Sequence, residues 1–488
     1  MTSLIDKHLQ AASPSLASGP QTKTAYPRQD PKLVSERTER WKAIEAEGGV
    51  GPWIEAQLKA RGLAVEEVNA SSLSDKAKNQ YKDRKKAEAA ERRALKKQAW
   101  EAYTATHITH LGAGVFWSDS EGADAFDHDQ REARAQALKL ELTSAKSLAD
   151  ALGLSIPALR WLTFHREVDT GTHYRRWQVL KRDGVSTRTL ASPKGQLKKA
   201  QRWTLRNVLD KLPVHAAAHG FLSARSIVTN AQVHAGSPLV IKVDIKDFFP
   251  TITWKRVKGL LRKQGLPEGV ATLLSLLATD APREEILFRG KTLYVASGPR
   301  ALPQGAPTSP ALTNAICLRL DRRLSGLARS LGFRYTRYAD DLTFSWHPGP
   351  LQPATSPQPG TGALLRGLRL ILEAEGFRLH PAKTRIMRAG ERQAITGLIV
   401  NQTDRGASAR VPRETLRKLR AAIHNREQGK PGKEGESIEQ LRGMAAFVHM
   451  TDPAKGKELL ARIEALAARS KGLERPERKK AAPGPRCC

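Results

Sequence analysis

Phe333-Arg334-Tyr335-Thr336-Arg337-Tyr338-Ala339-Asp340-Asp341-Leu342-Thr343-Phe344-Ser345 decides how the rest of the chain is read. Aromatic and β-branched residues on both sides of Asp340-Asp341 predict two short strands, with the acidic pair at the turn of a hairpin pointing out of a packed sheet. Two adjacent carboxylates repel, and keeping both ionised needs a cation. A second acidic centre lies upstream, in Val240-Ile241-Lys242-Val243-Asp244-Ile245-Lys246-Asp247-Phe248-Phe249-Pro250, where an apolar strand delivers Asp244 at its end. Three carboxylates from two neighbouring strands can hold two hard divalent ions about 3.5–4 Å apart, the arrangement that serves in-line phosphoryl transfer in nucleic-acid polymerases.

Composition points to a polyanionic partner. The 488 residues carry a formal charge of +32, spread along the whole chain. Solubility alone does not explain so large an excess, whereas each Lys or Arg set against a phosphate releases counterions. No apolar run approaches the ~20 residues of a spanning helix, and the first residues lack a hydrophobic signal core. The three cysteines, Cys317, Cys487 and Cys488, offer neither a disulfide framework nor zinc spacing, and the terminal pair lacks the usual lipidation pattern. These features predict a cytoplasmic protein with no membrane partner.

In chain order, residues 1–30 lack hydrophobic periodicity and read as disordered. Amphipathic helices are expected around Trp41 and Trp53, then one long polar helix from Ser74 to about Thr106. Its basic face serves either solvent and i,i+4 ion pairs or RNA. His107 and His110 lack a third ligand for a metal. The acidic stretch 119–129 reads as a linker. Two short helices joined at Gly153 then form a packing element rather than a DNA-reading motif.

A hairpin follows, with Asp183-Gly184 as a favoured two-residue turn between 176–181 and 186–190. It projects Lys181 and Arg188 either into solvent or toward a triphosphate, which Arg188 can grip through two parallel hydrogen bonds. Five residues past Asp244, Phe249 is either a core ring or a flat surface under an incoming sugar that excludes a 2′-hydroxyl. Asp247 reads as a cap of the following helix. In Leu302-Pro303-Gln304-Gly305-Ala306-Pro307, Gly305 permits close backbone approach to a nucleotide and Gln304 offers a donor and an acceptor, ahead of a helix running to about Leu331. Lys383 is either a surface lysine or a counter-charge to leaving pyrophosphate. Ala394 to Val400 reads as a last strand, and 412–470 as basic helices.

These segments, in this order, resemble the conserved blocks of reverse transcriptases, over roughly residues 140–470. Tyr-Ala-Asp-Asp at 338–341, the Asp244 strand with Phe249, and Leu-Pro-Gln-Gly followed by Ser309-Pro310 carry the likeness jointly, and Lys181 and Arg188 match residues that such enzymes use on the triphosphate. Asn230-Ala231-Gln232-Val233-His234 is similar to the Asn-Ala-x-x-His box of retron reverse transcriptases, and Ile395-Thr396-Gly397 to their Val-Thr-Gly box with Ile for Val. The long N-terminal extension is similar to that of myxobacterial retron enzymes.

The resemblance implies an α/β (α+β) right-hand polymerase fold, preceded by a mainly helical extension over 1–140. Fingers would span 141–235, the palm 236–401, a helical thumb 402–470 and a basic tail 471–488. It implies two Mg²⁺ ions on Asp244, Asp340, Asp341 and the Ile245 carbonyl, with Asp341 the least essential ligand. Lys181, Arg188, Phe249, Gln304, Gly305 and Lys383 would contact substrate, and Asn230, His234, Thr396 and Gly397 would recognise RNA. The implied partners are a structured noncoding RNA serving as template and primer, dNTPs, the multicopy single-stranded DNA (msDNA) product and a separate effector protein for antiphage defence. A group II intron or diversity-generating reverse transcriptase is the competing enzyme reading, and a catalytically idle RNA-binding scaffold the competing non-enzyme reading.

Overall fold

The computed structural model describes residues 31–68, 74–117, 138, 141–180, 186–348, 360–404, 406–430 and 435–473. Lys181, the Asp183-Gly184 turn, the acidic stretch 119–129, residues 1–30 and most of the tail lie outside the described residues. The chain divides into two compact units that interleave along the sequence: 1–212 with 249–315, and 213–248 with 316–488. These units cut across the linear segments 141–235 and 236–401.

The first unit opens with helices Pro31–Ala46, Val50–Ala60 and Asp75–Thr106. The long helix starts where the Ser74 hydroxyl accepts from the Ala77 amide, and it buries a narrow stripe that includes Leu95, Ala99 and Ala102. That stripe meets Ile44, Trp53, Ile54 and Leu58, so the extension has a core of its own. Helices Ala145–Leu152 and Ile156–Thr163 are separated by Gly153 at φ 64, the left-handed cap that glycine adopts without a Cβ clash. Their buried Leu148, Leu159 and Leu162 pack toward helix Glu268–Ala278, which is buried from Gly269 onward.

The strands are short and antiparallel. In chain order they are β1 (Val168–Asp169), β2 (Tyr174–Leu180), β3 (Thr187–Pro193), β4 (Leu239–Asp244), β5 (Arg283–Phe288), β6 (Lys291–Ala296), β7 (Phe333–Tyr338), β8 (Asp341–Trp346), β9 (Arg385–Arg388), β10 (Ala394–Ile395) and β11 (Leu398–Ile399). In the first unit, β2 and β3 form the expected hairpin and β1, β6 and β5 a three-stranded sheet. In the second, a four-stranded sheet has the order β7-β8-β4-β9.

Three expectations are corrected. Ala394 to Val400 is not one strand but the small hairpin β10–β11, because Thr396 (φ 47) and Gly397 (φ 90) both take the positive φ of a two-residue turn. Asp247 does not cap the next helix: Thr253 stands at that N-terminus, while Asp247 occupies a left-handed position at φ 49 within the preceding turns. The helix expected from about 309 to 331 is two, Ser309–Ile316 and Leu318–Ser330.

The chain's last helices, Arg413–Glu427, Ile438–His449 and Pro453–Leu473, enclose an apolar core of Leu419, Ile423, Leu441, Val448, Leu459 and Ile463. Gly456 allows the last two to touch, since a Cβ there would meet His449 Cα at 2.3 Å. Among the described residues no helix is long and apolar enough to cross a membrane.

Candidate active site

The four-stranded sheet of the second unit brings the acidic residues together. β4 and β8 pair with Asp244 directly opposite Asp341, and β7 and β8 close with Tyr338 opposite Asp341. Asp340 therefore sits in a two-residue turn behind Ala339, which adopts φ 57. An alanine pays for a left-handed backbone, so the surroundings must hold it there. They do so in three places. The Ile245 amide donates to the Asp340 carbonyl at 3.0 Å, the Arg337 guanidinium donates to the Ala339 carbonyl at 3.2 Å, and Gly220 presses close enough that a Cβ would meet the Ala339 nitrogen at 2.8 Å.

Electrostatics follow from this convergence. Burial, then the charges of Asp244 and Asp341, push the Asp340 carboxyl up to about 6. Asp244 is 8% exposed, and the Lys383 ammonium donates to its two oxygens at 3.0 and 3.1 Å. Lys242 pairs with Asp341 at 2.9 Å. Two ammonium groups thus offset charge that three carboxylates would otherwise leave uncompensated. Among the described residues, no three His, Cys, Asp or Glu side chains already enclose a metal position. The donors nevertheless suit a hard divalent cation, because all of them are oxygens.

The other expected site residues fall as follows. Arg188, Phe249, Gln304 and Gly305 belong to the first unit. Arg188 is exposed on β3 and Phe249 is half-buried. The close approach that Gly305 permits is to protein backbone. At φ 111, its missing Cβ would lie 3.0 Å from the Ala191 carbonyl oxygen, and the Ala191 amide donates to the Gln304 carbonyl at 2.7 Å. Lys181 is outside the described residues.

Asn230 and His234 are 1% and 0% exposed, so neither side chain is presented directly to RNA. They form a polar chain beneath the sheet. Thr336 Oγ1 donates to Asn230 Oδ1 at 2.7 Å, His234 Nε2 meets Thr336 Oγ1 at 2.8 Å, and His234 Nδ1 meets Ser345 Oγ at 2.7 Å. Burial holds His234 down to about 3, so its ring is neutral. Thr396 donates to the Ile227 carbonyl at 3.2 Å, which ties the β10–β11 turn to the helix carrying Asn230.

Sequence reading passed over the most buried charge pair in this unit. Arg337 grips both oxygens of Asp321 at 2.8 and 2.7 Å, Tyr335 donates to the same carboxylate at 2.8 Å, and neither charged side chain is exposed. The available signal was Arg337 itself, a charge on the strand face it shares with Phe333 and Tyr335.

The buried strand end that aligns one carboxylate with another, beside a tight acidic turn, lies within residues 179–418, which match the family described as reverse transcriptase (RNA-dependent DNA polymerase). The chain is 57% identical to the Retron Mx162 reverse transcriptase of Myxococcus xanthus, over 98% of this chain and all of that one. It is 41% identical to the Retron Mx65 enzyme of the same organism over 65% of this chain and 70% of that one, and 32% identical to the Retron Ec86 enzyme of Escherichia coli over 67% and 90%. The chain belongs to the retron reverse transcriptases and is an RNA-directed DNA polymerase. A telomerase from Candida albicans, solved with a fragment of telomeric RNA, aligns at a TM-score of 0.36 and 11% identity over 60% of this chain and 56% of that one, a likeness too slight to carry an argument.

Proposed function

We propose that this enzyme copies part of a cognate structured noncoding RNA into msDNA, starting from a guanosine 2′-hydroxyl of the same RNA. The observation that carries the proposal is the opposition of Asp244 and Asp341 across paired strands with Asp340 in the adjoining turn. In this reading the chain works as a right hand, with fingers over 141–235, palm over 236–401 and thumb over 402–470, behind the 1–140 extension and ahead of the 471–488 tail.

Asp244, Asp340, Asp341 and the Ile245 carbonyl are the groups that hold two Mg²⁺. When bound, the ions supply the charge that acidifies the attacking hydroxyl and neutralises the leaving pyrophosphate. Lys383 then gives up Asp244 and faces the pyrophosphate as counter-charge. Lys181 and Arg188 grip the triphosphate, Gln304 and Gly305 position the nucleotide, and Phe249 lies under its sugar and rejects a 2′-hydroxyl. Asn230, His234, Thr396 and Gly397 act on RNA recognition indirectly, by fixing the backbone that meets it. The biological setting is cytoplasmic antiphage defence with a separate effector protein.

Sequencing the nucleic acid that copurifies with the protein tests this. RNA joined to DNA through a 2′,5′ branch is expected, and unbranched DNA or none would count against it. Asp340→Asn should abolish primer extension while RNA affinity, read by filter binding, stays nearly intact. Equal loss of both would refute that division of labour.

A further inference from the structure

The first unit holds a cavity of its own. A cavity of about 360 Å³ opens between the C-terminal half of the long Asp75–Thr106 helix and helix Ile156–Thr163. That is within the range of small-ligand pockets. Its walls are aromatic and charged, and single-stranded nucleic-acid sites combine aromatic rings with positive charge in the same way.

Trp100 and His107 line one wall, at the two ends of an aromatic row that runs through Tyr103. Tyr103 and His107 lie face to face with ring centres 4.3 Å apart and planes 10° apart, and Trp100 continues the row 5.9 Å beyond Tyr103 at 27°. Trp100 is 56% exposed, an uncommon position for the largest aromatic side chain. A flat, weakly polar ring laid on it would extend the row by one member. The opposite wall is charged. Arg160 lies 4.8 Å from the Phe164 ring centre and Arg166 5.2 Å from it, so two guanidiniums share one ring. Arg166 has Asp169 at 3.5 Å and Arg37 has Glu101 at 3.0 Å. Arg160 has no carboxylate partner among the described residues: its Nε donates to the His110 carbonyl, which leaves its outer nitrogens for an anion.

Resting on the reading that this enzyme works on RNA, we infer that the cavity binds one unpaired nucleotide of single-stranded RNA, its base on Trp100 and its phosphate on Arg160. RNA fits better than DNA because the Glu101 and Asp169 carboxylates in the lining accept hydrogen bonds from a ribose 2′-hydroxyl, which DNA lacks. The N-terminal extension thereby contributes an RNA contact from the unit that does not carry the polymerising carboxylates.

The test titrates the full-length protein with fluorescein-labelled, unstructured RNA of about ten nucleotides and with DNA of the same sequence. Trp100→Ala and Arg160→Gln should each weaken RNA binding by about tenfold, toward the low end of what a lost base stack or charged contact costs. Ultraviolet crosslinking should place RNA on the peptide that contains Trp100. Thermal unfolding of Trp100→Ala guards against misfolding, since that side chain is largely outside the core. Unchanged RNA affinity in both variants, crosslinks only elsewhere, or DNA binding as tight as RNA would each overturn the inference. Primer extension by the wild-type protein reads the polymerase assignment separately, so the two can fail independently.

Discussion

Arg337 and Asp321 form a fully buried two-point ion pair that joins the strand before the acidic turn to the helix Leu318–Ser330. Arg337 also donates to the Ala339 carbonyl, so one side chain links the core of the second unit to the backbone of the turn. Removing one partner of such a pair strands the other charge away from water. Asp321→Ala should therefore destabilise the fold by about 3–5 kcal/mol, read by denaturant unfolding. If the pair serves stability alone, an apolar double replacement of Asp321 and Arg337 that restores stability will also restore extension rate. If Arg337 positions the turn, stability will return without the rate.

Gly220 is the position where the smallest addition should do the most harm to chemistry. A methyl group there would meet the Ala339 nitrogen at 2.8 Å, and that contact is backbone, which cannot swing aside. Gly220→Ala should cost about 1–3 kcal/mol of stability. It should lower kcat by roughly a hundredfold, the penalty of a misplacement near 1 Å, in steady-state primer extension. A loss confined to stability would show that the turn relaxes freely.

Lys383 competes with a cation for Asp244. Its ammonium sits 3.0 Å from the carboxylate, so replacing it removes a positive charge that metal must displace. Lys383→Ala should lower the half-saturating Mg²⁺ concentration severalfold and reduce kcat as pyrophosphate loses its counter-charge. A Mg²⁺ titration of extension rate reads both, and an unchanged Mg²⁺ requirement would mean that the pair is incidental.

Buried imidazoles set the acid limit of the fold. Burial pushes His165, His173 and His219 down to about 4 and His234 to about 3. Each folded-state value lies below the unfolded one near 6.5, so the unfolded chain binds protons first. The stability that these neutral imidazoles support is complete above about pH 6.5 and falls as pH drops toward these values. For His234→Gln, the slope of unfolding free energy against pH between about 4 and 6 should be smaller by one proton, about 1.4 kcal/mol per pH unit. An unaltered slope would mean that His234 already titrates with solvent.

Much of the site was legible locally. Alternating aromatic and β-branched residues around Asp340-Asp341 specify a hairpin because a strand's side chains repeat every two residues, and that period lies within a few residues of sequence. Local patterning also found the β2–β3 hairpin, from its strand period, and the helices around Trp41 and Trp53, from the 3.6-residue period. It failed at Thr396-Gly397, where an apolar run conceals two left-handed residues, and at Asp247, where the chain turns before the helix begins.

By itself the sequence determined which chemistry the chain carries: clustered carboxylates, a charge suited to RNA, and motifs whose order marks the family. Tertiary structure alone decided that Asp244 faces Asp341, that Asn230 and His234 turn inward, and that Arg337 finds Asp321. The reason is range. Backbone periodicities operate over a handful of residues, whereas the register of β4 against β8 is chosen by which side chains fill the space between strands about a hundred positions apart.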